Sequence, residues 1–321
     1  MYPCSNPELV AAVSEAGGIG IIQPLSLTYV HGYEFGAGVD YLRSLTDQPL
    51  GFNVLIETSS RRYRQRMEGW IEQALEKGIR FFITSLGKPD WVVRRVHAAG
   101  GRVYHDASEA KWARIGVDCG VDGLICVNNR AGGHLGSQSA EALYRACSDL
   151  GKPLVCAGGV ANAEDVRSML ELGYAACQLG TRFIASEECS VSEGYKQAIL
   201  KASEEDICST IRMTGVPVAV IRPGSGGGRC GDRTGWMRPL LEHPRTRRLL
   251  RLLLSLKAAR RMKQSIRDRE AVDWSAGKSV AHIDRILPVA DILQELARGV
   301  PVEPGSGRQT RPVSPDTRNP R

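Results

Sequence analysis

Seven short apolar runs, separated by helical patterns, fill the first 185 residues of this chain. They are GIGII ending at Ile22, then 50–56, 78–84, 101–106, 122–127, 153–158 and 175–180. Helical periodicity occupies 61–77, 89–98, 107–116, 138–149 and 162–171 between them. Ser5 and Glu8 have capping-box spacing, Pro7 suits a first turn, and Gly17 and Gly18 close the helix. Runs that are apolar throughout, rather than alternating, predict parallel strands covered by helices. A doubly wound sheet usually carries a glycine fingerprint after its first strand. Here QPLSLTYV follows GIGII, so a (β/α)8 barrel of the TIM type fits better. Such a barrel needs an eighth strand, and its natural place is before Met1. The expectation is therefore a barrel whose first strand is missing from this chain.

The rhythm changes after residue 185. Residues 191–207 read as a helix, 214–235 as an apolar segment running into a glycine-rich connection, and 238–268 as helical. Residues 279–298 read as a last helix, or a pair interrupted near Pro288. This divides the chain into a barrel core over 1–220, a helical addition and return over 221–300, and a disordered tail over 301–321. The arginine-rich run at 249–263 suits a cover helix, a substrate entrance or subunit contact, or a membrane surface. A homodimer is compatible with the second of these.

Composition excludes several classes. The chain has 321 residues with 42% hydrophobic and 24% charged, which suits a folded protein. No run approaches the ~18 apolar residues of a membrane span, and the start lacks a secretory pattern. The charge of +7 comes with 6% aromatics and no stacking motif, so no nucleic-acid partner is expected. Nine cysteines stand without a CxxC pair, predicting free thiols in a cytoplasmic setting and no metal site.

Two glycine-bearing strand ends carry chemical information. Gly158 ends the sixth run with Gly159 after it, and Gly180 ends the seventh with Thr181 after it. On adjacent strands, their amides can meet one phosphate, with the Thr181 hydroxyl as a further donor. The alternative is a pair of tight turns needing glycine for steric reasons. Asn128–Gly136 (NNRAGGHLG) is a glycine-rich loop after the fifth run, and it carries His134. That imidazole suits a proton acceptor or a hydrogen-bond donor, or simply a turn cap. His105 also ends a run. Gln23, Asn53, Thr84 and Gln178 put polar groups at strand ends, as a planar heterocycle requires.

Five strings together resemble the nitronate monooxygenase family. They are NPELVAAVSEAGGIG at 6–20, PLGFNV at 49–54, AGGHLG at 131–136, CAGGVANAEDV at 156–166 and QLGTRFIASEEC at 178–189. The likeness resumes over 274–296, and flavin-dependent enoyl-acyl-carrier-protein reductases share much of it. The resemblance implies an FMN-containing TIM barrel. Asn53 would contact FMN, Gly159, Gly180 and Thr181 would hold its phosphate, and Gln23 and Gln178 would line its ring. Met1 matches a family methionine whose backbone contacts the flavin. His134 matches the active-site histidine. Two departures stand out: Arg130 replaces the acidic residue of EAGGH, and Asp106 replaces a basic residue.

The leading functional expectation is oxidation of a small anionic alkyl nitronate with molecular oxygen. The first alternative is an FMN- and NAD(P)H-dependent enoyl-thioester reductase, with an acyl carrier protein as partner. The second is a noncatalytic flavin-binding protein.

Overall fold

The computed structural model describes residues 1–57, 61–210, 217–222 and 274–301. Seven parallel strands form one sheet. They are β1 (Gly20–Ile22), β2 (Leu50–Leu55), β3 (Phe81–Ser85), β4 (Arg102–Ala107), β5 (Gly123–Val127), β7 (Leu154–Ala157) and β8 (Ala176–Gln178). Between them run α2 (Phe35–Leu45), α3 (Arg61–Glu76), α4 (Asp90–Ala98), α5 (Ala110–Asp118), α6 (Ala140–Cys147) and α7 (Ala163–Leu172). The sheet order follows chain order without reversal. Right-handed crossovers repeated in one direction place every helix on the same side and curl the sheet. A doubly wound sheet would reverse direction at a switch point. The result is a curled, TIM-like wall of seven strands. Among the described residues β1 and β8 form its two edges and do not pair.

Strand alternation separates the two faces. Phe52, Phe82, Val103, Leu124 and Cys156 point outward into a core shared with Val39, Leu42, Ile71, Val96 and Leu143 of the helices. Phe52 lies 5.5 Å from the Phe35 ring and 5.6 Å from Phe82. Each fully buried aromatic side chain contributes roughly 1.5–3 kcal/mol by leaving water. The inner face holds a separate cluster of Ile83, Ile125 and Ala157, packed with Ile21, Phe81, Tyr104, Val127 and Val155. Helix α3 shows why its sequence folds this way. Met67, Trp70, Ile71, Ala74 and Leu75 form its buried stripe at helical spacing. Helix α7 starts on a capping box made by Asn162 and Asp165.

The helix preceding β1 is α1 (Pro7–Glu15), and its N-cap is Asn6 rather than Ser5. Ser5 Oγ instead accepts from the Met1 amino group at 2.9 Å. Asn6 Nδ2 donates to Glu8 and to the Glu188 carbonyl, both at 2.8 Å, so long-range packing displaced the expected cap. Residues near Met1 lie across the gap between the sheet edges. The Met1 carbonyl accepts from the Ser5 amide at 3.0 Å and Ser26 Oγ at 3.4 Å.

Beyond β8 come α8 (Thr181–Ile184) and α9 (Glu193–Lys201). The expected single helix over 191–207 ends early. A 3-10 turn, Glu204–Asp206, leads into β9 (Ile207–Thr210), which pairs antiparallel with β10 (Val218–Ile221). Strand β10 also pairs with the two-residue β6 (Gly133–His134). The pairing partner decides this segment, because local periodicity carries no information about β10. The last region is a 3-10 turn at Lys278–His282 and α10 (Val289–Ala297), a pair broken at Pro288 as expected. The expected glycine-rich connection (beyond Arg222), the helix over 238–268 and the tail beyond Pro301 lie outside the described residues. So does the arginine-rich run at 249–263. No helix among the described residues is long and apolar enough to cross a membrane. Among the described residues seven cysteines are free thiols, but Cys208 on β9 is disulfide-bonded. The expectation of free thiols throughout therefore fails at Cys208.

Candidate active site

The inner face at the carboxyl ends of the strands gathers most of the expected polar residues. Asn53 on β2 sits in register with Ile83 of the inner cluster. Its Oδ1 is buried and has no hydrogen-bond partner among the described residues. A buried acceptor left unpaired costs about 1–3 kcal/mol, so this position calls for an outside donor. Gln178 at the end of β8 pairs in register with inner Ala157 and is half-buried. Gln23 follows β1, but its Oε1 already accepts from the Ser26 amide at 2.7 Å, closing the turn there.

Thr84 does not face the interior with the other expected polar residues. It pairs in register with Val54 and His105, which places it on the outer, helix-facing side. Its hydroxyl lies 2.9 Å from His105 Nδ1 and donates to the Tyr104 carbonyl at 3.1 Å. His105 shares that face, and a Cβ on Gly116 of α5 would lie 3.1 Å from its ring. Burial pushes the His105 pKa down to about 4, so this imidazole is neutral and structural. Register, which chain order alone does not reveal, moves both residues away from the interior.

Asp106 follows His105 and therefore points inward, in register with Ile125. Its Oδ1 is buried without a partner among the described residues, and burial pushes the carboxyl up to about 7. The Met1 amino group opposes that shift.

The phosphate-type glycines differ in cause. Gly158 and Gly159 adopt φ of 117° and 84°, a region that side chains disfavour. A Cβ on Gly158 would lie 2.3 Å from Asn128 Oδ1 and 2.5 Å from the Ala131 amide. A Cβ on Gly159 would lie 2.7 Å from Arg130 Nε. The loop bearing His134 is thus pressed directly against the end of β7. Gly180 has an ordinary φ of −130°, so backbone conformation does not explain it. A Cβ there would lie 3.0 Å from Met1 Sδ, so space is the reason. The amides of Gly159, Gly180 and Thr181 make no backbone hydrogen bond outside the regular elements among the described residues. Three such donors, at the ends of adjacent strands, fit an anionic group.

The segment Trp274–Lys278 ties these strand ends to the His134 loop. The Gly277 amide donates to Thr181 Oγ1 at 2.9 Å, and the Lys278 amide donates to the Arg130 carbonyl at 2.9 Å. The Gly133 amide donates to Ser275 Oγ at 3.1 Å, which donates onward to the Ala219 carbonyl at 3.0 Å. Tyr195 stacks on Trp274 at 5.4 Å and donates to the Ser275 carbonyl. Asn128, fully buried, donates to the Gly158 carbonyl at 2.9 Å and accepts the Arg130 amide at 2.8 Å. His134 follows at the end of β6, paired with Val218. Its side chain is reachable by solvent, yet surrounding protein desolvates it and lowers its pKa. That shift favours the neutral imidazole near pH 7.

Arg182 is not part of this anionic site. It is buried and donates to the Ala185 and Arg285 carbonyls at 3.2 and 3.1 Å. Asn128, Ser275 and Tyr195 were missed as supports of the site. Asn128 was visible in its string, whereas Ser275 and Tyr195 gave no local signal.

The family model described as nitronate monooxygenase matches residues 1–299. The chain belongs to the nitronate monooxygenase family. Members of that family are flavin-dependent oxidoreductases. It is similar to a Pseudomonas aeruginosa nitronate monooxygenase, with 27% identity over 67% of this chain and 73% of the relative. It is also similar to a Rhodococcus jostii (3aS,4S,5R,7aS)-5-hydroxy-7a-methyl-1-oxo-octahydro-1H-indene-4-carboxyl-CoA dehydrogenase, with 27% identity over 68% of this chain. The chain spans about three-fifths of the length of that relative, 59%. The solved structure of FabK from Thermotoga maritima matches with a TM-score of 0.73 and 27% identity, covering 93% of this chain and 90% of that one. A nitroalkane oxidase from Streptomyces ansochromogenes shares the fold, with a TM-score of 0.73 at 22% identity over 93% and 94% of the two chains.

Proposed function

We propose that this family member binds FMN and oxidises a small alkyl nitronate with molecular oxygen. The observation that carries it is the inner face itself. Unpartnered Asn53 Oδ1, half-buried Gln178 and the open amides of Gly159, Gly180 and Thr181 suit a heterocycle bearing a phosphate. Asn53 would accept from a ring N–H. Gly159, Gly180, Thr181 and the backbone near Gly158 would hold the phosphate end. Met1, beside Gly180, and Gln23 would border the ring. When bound, FMN supplies a two-electron acceptor and the route to oxygen.

The chain's own contribution centres on His134. A neutral imidazole donates one hydrogen bond and accepts another. Through its N–H it orients an anionic nitronate. Through its lone pair it accepts the α-proton when a neutral nitroalkane is offered. The apolar inner cluster of Ile83, Ile125 and Ala157 keeps water from the reacting centre. The free thiols among the described residues favour a cytoplasmic setting, and the Cys208 disulfide stands against it. The test is anaerobic mixing of FMN-loaded protein with a panel of alkyl nitronates. Bleaching of the oxidised flavin band is expected, and a flavin that stays oxidised across the panel rejects the reaction.

A second reading has a specific observation behind it. The match to a carboxyl-CoA dehydrogenase favours an acyl-thioester substrate, for which NAD(P)H would be the other partner. Nicotinamide oxidation that requires an enoyl thioester would select it. Absence of that oxidation, with CoA or carrier-protein thioesters, would remove it.

A further inference from the structure

Arg130, the departure from the acidic residue of the family string, meets a carboxylate from elsewhere in the fold. Its Nη1 lies 2.9 Å from Glu204 Oε1 and its Nη2 lies 2.9 Å from Glu204 Oε2. Lys278 Nζ lies 3.1 Å from the same Oε1. Glu204 is 74 residues distant from each in the chain. Three separate segments therefore converge on one carboxylate: the His134 loop, the turn before β9, and the returning segment after Trp274. Burial alone would raise the Glu204 pKa, but the hydrogen bonds from Lys278 and Arg130 outweigh it and hold the group ionised.

The loop needs such an anchor. Gly132, Gly133 and Gly136 leave it little intrinsic stiffness, and β6 is two residues long. Arg130 is held at its amide by Asn128 and at its carbonyl by Lys278. Its side chain lies across Gly159, 2.7 Å from where a Cβ would sit. Exposed ion pairs usually contribute little, and each of these side chains is about one-third exposed, at 33–36%. A forked pair sharing a third charge differs from that case, because its two parallel bonds fix direction as well as distance.

We propose that Glu204 is a positioning residue: through Arg130 and Lys278 it fixes the loop that presents His134 beside the end of β7. This rests on His134 being the working group of the proposed reaction. A ligand-contacting role for Glu204 is not part of it.

The experiment compares FMN-loaded wild type with Glu204→Gln, which keeps the shape and removes the charge. His134 is followed by its imidazole proton resonance against pH, assigned through its loss in His134→Gln. In Glu204→Gln the His134 pKa should rise toward the ordinary imidazole value as the loop leaves its desolvated position. Nitronate turnover should fall on the order of ten- to a hundredfold in kcat, with FMN retained. Arg130→Lys keeps the charge but loses the fork and should fall between the two. It also carries the same readouts if Glu204→Gln does not fold. An unchanged His134 titration in the folded variant overturns the proposal. If wild type turns over no nitronate, the reaction fails, and the titration still decides whether Glu204 positions the loop.

Discussion

Replacing Asp106 with asparagine removes one titrating group from the inner face and keeps its shape. Burial pushes the Asp106 carboxyl up to about 7, against an ordinary value of about 3.9. The folded protein therefore keeps a proton that the unfolded chain releases near pH 4. Stability from that proton is full below about pH 4 and is lost as pH rises through about 7. Three pH units at about 1.4 kcal/mol each set an upper bound of about 4 kcal/mol. From about pH 5 to pH 8 roughly two of those units are crossed, and partial solvent access trims the effect, leaving about 1–3 kcal/mol. The assay is urea unfolding of wild type and Asp106→Asn without added flavin at both pH values. Wild type should lose that amount relative to the variant as pH rises. Parallel stability curves would refute the placement of Asp106 as a buried, inward-facing acid.

Other consequences follow from the same geometry. Gly180→Leu meets no backbone strain at φ −130° and crowds only the flexible Met1 side chain, so it should fold yet bind FMN at least about tenfold more weakly in fluorescence titration. Equal affinity would remove Gly180 from the phosphate end. Phe52→Ala empties a position packed between Phe35 and Phe82 and should cost about 3–5 kcal/mol in denaturant unfolding. A loss below about 1 kcal/mol would contradict the two-face assignment. Where a neutral nitroalkane is the substrate, kcat/KM should fall on the acid side, below the ordinary imidazole range. Desolvation lowers the His134 pKa, so the base form persists to lower pH. An acid limb at or above the ordinary imidazole pKa would assign that step to another group.

The seven strands were legible because a strand buried on both faces writes a mostly apolar, nonalternating run, as in Gly123–Val127. Strand phase was not legible. Asn53 and Thr84 look alike at the ends of their runs, but the pairing of Thr84 with Val54 turns it toward the helices. Helix α2 escaped notice because Gly36 and Gly38 interrupt its stripe of Phe35, Val39 and Leu42. The His134 loop and the glycine pairs were visible as strings. Their supports were not, because Glu204, Ser275 and Tyr195 come from distant segments with no local pattern. Gly158 and Gly159 show how two causes can share one signal. Their close neighbour in this structure is the chain's own loop, and any bound phosphate would have to use the adjacent open amides.

The central claim is that His134 works on substrate beside a flavin held by the strand ends. Anaerobic stopped-flow reduction of FMN-loaded wild type and His134→Ala by the same nitronate tests it most directly. Both proteins should retain FMN, and wild type should bleach rapidly. The variant should slow by on the order of a hundredfold or more. Equal bleaching in the two proteins would contradict it.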